Sequence, residues 1–134
     1  MNILFICKFN RFRSKVAEAL FNKLNKKHKA KSAGIIRGTR VTKEILDASK
    51  DFNLKLNTKT KGLTTEMLKW HDLAIIVADD VPKDILKDNK KYGKLLKIWK
   101  IKDTDSYEKE EIKKIIYQIE DKIKSLTNNI NNLR

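Results

Sequence analysis

Asn2-Ile3-Leu4-Phe5-Ile6-Cys7-Lys8-Phe9-Asn10-Arg11-Phe12-Arg13-Ser14 is the stretch that decides the fold. Its first part, Asn2 to Ile6, is a short continuous apolar run, the pattern of a strand buried on both faces. Beyond Arg13 the period changes. Val16, Ala19, Leu20 and Leu24 recur at helical spacing with lysines between them, which predicts a helix from about Ser14 to Lys26. Cys7 therefore stands at the carboxyl end of a strand, in a loop that runs straight into a helix.

The rest of the chain repeats this alternation. Lys29 to Ser32 reads as a weak second strand closed by Ala33-Gly34, and Val41 to Phe52 as an amphipathic helix carried by Ile45, Leu46 and Ala48. Thr64 is an expected N-cap for a short helix reaching about Trp70. Leu73 to Ala78 is the clearest strand. Val81 to Leu86 reads as a short helix with Pro82 in its first turn, and Leu95 to Ile98 as a fourth strand. A long amphipathic helix follows from Lys109 to about Leu126, with Asn128 to Arg134 expected to fray. Strands alternating with helices imply an α/β fold, a three-layer α/β/α arrangement around a central four-stranded parallel sheet. In such sheets ligands bind beyond the carboxyl ends of the strands, where Cys7 lies.

The 134 residues carry 31 Lys and Arg against 17 Asp and Glu, a net charge of +14. One compact domain over residues 1–134 is the expectation at this length, with no internal repeat or low-complexity tract to divide it. At 40% hydrophobic and 36% charged, the chain is too apolar for a disordered protein, and it has no run near the roughly 20 apolar residues of a membrane span. Its apolar opening, Ile3 to Ile6, is far shorter than the apolar region of a signal peptide. A single cysteine excludes an intramolecular disulfide and suits a reducing cytoplasm. The charge invites a nucleic-acid reading. Yet the lysines are spread from Lys8 to Lys124, aromatics are only 7%, and no zinc-finger or zipper spacing occurs. A generally basic surface, attracting nucleic acid non-specifically at low salt, fits better.

The chemistry lies in Cys7 to Ser14. A loop between a strand and a helix N-terminus turns successive N–H groups toward an anion. An arginine closing it can grip two oxygens of a tetrahedral anion through its planar fork. The same field favours the thiolate of Cys7, and the Ser14 hydroxyl can donate to that sulfur. Cys-x5-Arg-Ser is thus a set of parts for thiolate attack on phosphorus. The plainer alternative, a small buried cysteine and a surface arginine, is common for isolated residues but does not account for the spacing and the strand–loop–helix context together.

The opening ILFIC, Asn10, Arg13-Ser14 and the AEAL of Ala17 to Leu20 resemble the low-molecular-weight protein tyrosine phosphatases and the related thioredoxin-coupled arsenate reductases. The resemblance continues through Ser32-Ala33-Gly34, the strand around Asp72 to Ile76 and the acidic segment before the last helix. It implies a cysteine-dependent phosphomonoesterase of tyrosine-phosphatase type. Cys7 would form a phosphocysteine intermediate, and Arg13 with the loop residues Lys8, Phe9, Asn10, Arg11 and Phe12 would hold the phosphoryl group. Asn10 would shape the loop and Ser14 would support the leaving thiolate. The family takes its general acid from an aspartate before the last helix. Asp103 matches by distance from the strand and Asp105 is the runner-up; either could instead favour the helix dipole. Asp79 matches a family position near the phosphate loop, or simply ends its strand. No metal or organic cofactor is implied, and the anions expected to bind are phosphate, vanadate and arsenate.

Several positions depart from the family pattern. Phe9 stands where glycine is common, Phe12 where a second cysteine often stands, and Thr104 where proline follows the acid. With Cys7 alone, the reductases' relay through two further cysteines is incomplete, so phosphatase chemistry is favoured and arsenate reduction would need an external thiol. A bare phosphate-binding module is the remaining reading. The substrate that the resemblance implies is a phosphorylated protein or a small phosphomonoester. Ile35, Ile36 and Arg37 follow Gly34 where the family often has an aromatic wall, with Tyr107 and Trp70 as other wall candidates. Arg11 at the rim would attract acidic sequences and disfavour phosphoarginine. His28 and His71 lack metal-ligand spacing and read as surface residues.

Overall fold

A computed structural model describes residues 1–131. The expected strands form one parallel sheet of β1 (Asn2–Cys7), β2 (Lys29–Gly34), β3 (Leu73–Val77) and β4 (Leu95–Trp99), in the order β2-β1-β3-β4. Helices α1 (Arg13–Leu24), α2 (Lys43–Lys50), α3 (Thr65–Trp70) and α4 (Lys109–Asn131) connect and follow them. The chain leaves β1 toward β2 on one side and returns to β3 on the other. The crevice beyond the end of β1 is therefore the switch point of the sheet, and the loop after Cys7 occupies it.

Alternation along β1 divides the core in two. Ile3 and Phe5 pack with Val16, Leu20 and Phe21 of α1 and with Ile112, Ile116, Ile119 and Ile123 of α4. Leu4 and Ile6 face the other way, against Ala74 and Ile76, with Met67 and Leu68 of α3 and Leu86 covering them. This gives the three layers. Both edge strands carry outward lysines, Lys29 and Lys31 on β2 and Lys97 on β4, which discourage edge-to-edge pairing.

The element ends follow side-chain chemistry. Thr42 Oγ1 accepts from Ile45 N at 3.3 Å, so α2 starts inside the expected Val41–Phe52 segment; Asn53, at φ 57°, belongs to the turn that follows it. Thr64 caps α3 as expected, through Met67 N at 3.2 Å. Val81 to Leu86 is not an α-helix. Only Lys83–Leu86 coils, as a 3-10 turn after Pro82, and a second such turn covers Lys90–Tyr92. Asn128 to Asn131 does not fray: Ile130, buried, continues the stripe of Ile119, Ile123 and Leu126, and this packing overrides the weak helix propensity of the asparagines. Residues 132–134 of that expected tail lie outside the described residues.

His71 is a further correction. It is fully buried, its Nδ1 donating to Met67 O at 3.1 Å and its Nε2 accepting from Asn89 Nδ2 at 3.1 Å, while His28 is half-buried. The end of α2 is tied to the start of α4 by Asp51, whose carboxylate lies 3.2 Å from both Lys109 and Lys113. Hydrogen bonds from Lys109, then Lys113, hold Asp51 below its ordinary carboxylate pKa. A depressed acid stabilises the fold above its unfolded pKa and loses that contribution as pH falls through the folded value. Asp51→Asn is therefore expected to lower the melting temperature slightly at pH 7. The difference from wild type should shrink in molar salt and on acidification below the carboxylate range, as melting curves would show.

Candidate active site

The loop from Cys7 to Arg13 is held from outside by the segment that follows β2. Carbonyls of Cys7, Lys8 and Phe9 accept from the amides of Ile35, Ile36 and Gly38 at 3.0–3.1 Å. With these carbonyls drawn outward, the N–H groups of Lys8 to Phe12 have no acceptor among the described residues. Unpaired N–H groups in such a loop are able to donate to an anion. Gly34 makes the close packing possible, since a Cβ there would lie 2.7 Å from Phe9 C and 2.8 Å from Asn10 N. Helix α1 begins at Arg13 with no capping side chain and no acidic residue in its first turn, so its positive end is likewise uncompensated.

Asn10 organises the loop from within. Its backbone is left-handed at φ 56°, a conformation asparagine adopts more readily than most residues. Its Nδ2 donates to Ser14 Oγ at 2.8 Å and to Ser32 Oγ at 3.0 Å, and its Oδ1 accepts from Lys61 N at 2.9 Å. Ser14 Oγ in turn lies 3.0 Å from Cys7 Sγ. The sulfur thus sits at the end of a buried polar chain, with a hydroxyl able to donate to it.

Arg13 is 2% exposed, not a surface residue, and its environment was only partly legible beforehand. Nη1 donates to Ile101 O at 3.0 Å and lies 3.8 Å from Asp79. Nη2 lies 3.0 Å from Asp80 and 3.6 Å from Asp103. Asp80 was missed by sequence reasoning. Its signal was its position, next to Asp79 just beyond the carboxyl end of β3, where the sheet points toward the crevice.

Cys7 and Arg13 open into a cleft of about 120 Å³ shared with Phe9, Arg11, Phe12, Asp103, Thr104, Asp105 and Tyr107. Thr42 and Ile45, at the start of α2, complete one wall and had no sequence signal of their own. Tyr107, 74% exposed, stands at the mouth. Trp70 does not reach the cleft; it lies under Lys31 Nζ, 4.5 Å from the ring centroid. The Phe9 ring packs at the rim near two cations, 5.3 Å from Lys8 Nζ and 5.1 Å from Arg11 Cζ. Asp105 lines the cleft but makes no ion pair with Arg13, unlike Asp103. Without proline at Thr104, the loop is ordered by local side chains: Asp103 Oδ1 accepts from Thr104 N, Thr104 Oγ1 from Ser106 N, and Ser106 Oγ from Glu108 N, at 2.9–3.1 Å. Among the described residues no helix is long and apolar enough to cross a membrane.

Comparison with curated proteins finds no match by sequence. Solved structures match over nearly the whole chain. A low molecular weight protein tyrosine phosphatase from T. tengcongensis is 25% identical with a TM-score of 0.82, over 96% of this chain and 99% of that one. An arsenate reductase from Archaeoglobus fulgidus is 26% identical with a TM-score of 0.75, over 94% and 98%. The YwlE arginine phosphatase from Geobacillus stearothermophilus, 20% identical over 97% and 92% with a TM-score of 0.82, shares the fold. The family model described as low molecular weight phosphotyrosine protein phosphatase matches residues 2–134. That match over nearly the full length, on a parallel sheet shared with these solved structures, places the chain in the low molecular weight phosphotyrosine protein phosphatase family, a family of phosphatase hydrolases.

Proposed function

We propose that the protein is a phosphomonoesterase of tyrosine-phosphatase type, working through a phosphocysteine on Cys7. The observation that carries this reading is the convergence of Cys7 Sγ, the unbonded N–H groups of Lys8 to Phe12 and the buried Arg13 guanidinium on one cleft. In the first step the thiolate of Cys7 attacks phosphorus. The bond to the leaving oxygen breaks, and that oxygen takes a proton from Asp103. In the second step water attacks, giving its proton to the Asp103 carboxylate as the P–S bond breaks and the thiolate returns. The loop amides and Arg13 stabilise the equatorial oxygens throughout, and Ser14, 3.0 Å from Sγ, stabilises the thiolate as it leaves. Asp79 and Asp80 act as positioning residues, orienting Arg13 from behind.

Asp103 is favoured over Asp105 because it faces both the cleft and Arg13. Asp103→Asn is expected to slow hydrolysis about 100-fold for alkyl phosphates, whose leaving groups need the proton, and much less for p-nitrophenyl phosphate. Asp105→Asn should change both rates by less than about threefold on the same reasoning. A steep leaving-group dependence in the Asp105 variant instead would reverse the assignment.

The substrate reading follows from the rim. Arg11, with Lys8 close by, favours a phosphorylated side chain in an acidic sequence. Tyr107 and Phe9 offer aromatic faces to an aryl phosphate. A phosphoarginine, though handled by a protein of the same fold, would bring its guanidinium against Arg11. The direct test is hydrolysis of p-nitrophenyl phosphate between pH 5 and 7 with chelator present, followed by acidic phosphotyrosine peptides. Metal-independent turnover is expected. Its absence in folded wild-type protein, with arsenate reduced in the presence of an added thiol, would move the assignment to the reductase side.

A further inference from the structure

Between α1 and the segment that joins α2 to α3 lies another cleft, of about 220 Å³. It is lined by Lys15 and Glu18 of α1 and by Lys55, Asn57 and Lys61 of the segment between α2 and α3. Three lysines face one carboxylate, and one oxygen of it is already bonded: Glu18 Oε1 accepts from Ser32 Oγ at 2.6 Å. Asn57 Oδ1 is taken by Lys59 N at 2.9 Å, which leaves its Nδ2 as a further donor.

Lys15 is the unusual member. It is only 3% exposed, yet its Nζ makes no hydrogen bond and no ion pair with any described residue. Lysine is almost never so buried without a partner. Nor is the ammonium sealed in, because no fully enclosed side-chain nitrogen or oxygen among the described residues lacks a partner. Nζ therefore keeps some solvent contact, and Lys15 is one of the residues lining the cleft. Burial pushes the Lys15 pKa below its ordinary value and the nearby Lys61 adds to this, while the Glu18 and Cys7 charges oppose it.

We propose that this cleft is a second anion site, taking a small free oxyanion of the phosphate class against Lys15, Lys55 and Lys61. An oxyanion would give the Lys15 ammonium the partner the protein does not supply, with Asn57 Nδ2 as a neutral donor. The site rests on its own residues and stands whether or not the protein turns over phosphomonoesters.

The test is a titration of the amide resonances with potassium phosphate, against potassium chloride at matched ionic strength. Two saturating groups of shifts are expected with phosphate. One covers the loop amides of Lys8 to Phe12; the other covers Lys15, Glu18, Lys55 and Asn57. Lys15→Met should weaken the second group at least tenfold and leave the first within twofold. The variant removes a buried charge, so it is expected to melt no lower than wild type, and lost binding would then not reflect lost fold. Lys55→Gln, at an exposed position, should weaken the second group with the same selectivity. Cleft shifts that fail to saturate, that chloride reproduces, or that both variants leave unchanged would overturn the site. A loop group that fails to appear while the cleft group saturates would count against the proposed catalysis alone.

Discussion

Replacing Cys7 by serine is expected to abolish turnover, by about 10⁴-fold or more, while phosphate and vanadate still bind. The two halves of this expectation come from different atoms. Turnover needs a thiolate at the base of the cleft, and a serine hydroxyl there is a far weaker nucleophile near neutral pH, with no base among the loop side chains to activate it. Binding needs the N–H groups of Lys8 to Phe12 and the Arg13 fork, none of which the substitution touches. The hydroxyl also keeps a hydrogen bond to Ser14 in place of the sulfur contact. Steady-state assays with p-nitrophenyl phosphate and calorimetric titration with vanadate would read the two separately. Turnover that survived in Cys7→Ser would remove Cys7 from the nucleophile's role. Loss of both turnover and vanadate binding in folded protein would mean that the sulfur shapes the cradle as well as attacks.

The second large effect is expected from Arg13→Lys. Charge is conserved, so an arginine serving only as a cation would tolerate the change. The structure argues otherwise. The planar fork is held by Ile101 O on one nitrogen and by Asp80 on the other, with Asp79 and Asp103 nearby, and a lysine ammonium has one nitrogen to satisfy all of them. A drop in kcat/KM of about 10³-fold is expected, with phosphate binding weakened in parallel. Stability should fall as well, because three carboxylates would share a misplaced cation in a site where the native guanidinium is almost wholly buried. Activity within tenfold of wild type would show that the loop amides alone carry the oxyanion. Asp80→Asn offers an internal comparison: if Asp80 acts by orienting Arg13, its effect should be small in an Arg13→Lys background.

Much of the architecture was legible in short segments. The apolar runs at Asn2 to Ile6 and Leu73 to Ala78, the threonine cap at Thr64 and the isoleucine stripe of the last helix are local patterns, and each formed as its period or cap chemistry indicates. Where the segment reading went astray, a distant partner had overruled local propensity. Ile130 holds an asparagine-rich turn helical because the core continues beneath it, and His71 is buried because Asn89 and Met67 O satisfy both its ring nitrogens.

The candidate site divides along the same line. Cys7, Asn10, Arg13 and Ser14 lie within one strand–loop–helix segment, so their spacing by itself determined that they would face a common point at a helix N-terminus. Which carboxylates meet Arg13 was decided only by the tertiary structure. Asp79 and Asp80 follow β3, Asp103 follows β4, and the sheet order β2-β1-β3-β4 carries those strand ends to the end of β1. The solitary burial of Lys15 has the same origin. A one-dimensional pattern reports which face of a helix is apolar, but whether a charged residue on that helix meets solvent, a partner or another lysine depends on segments some forty residues away that only the packed chain brings near.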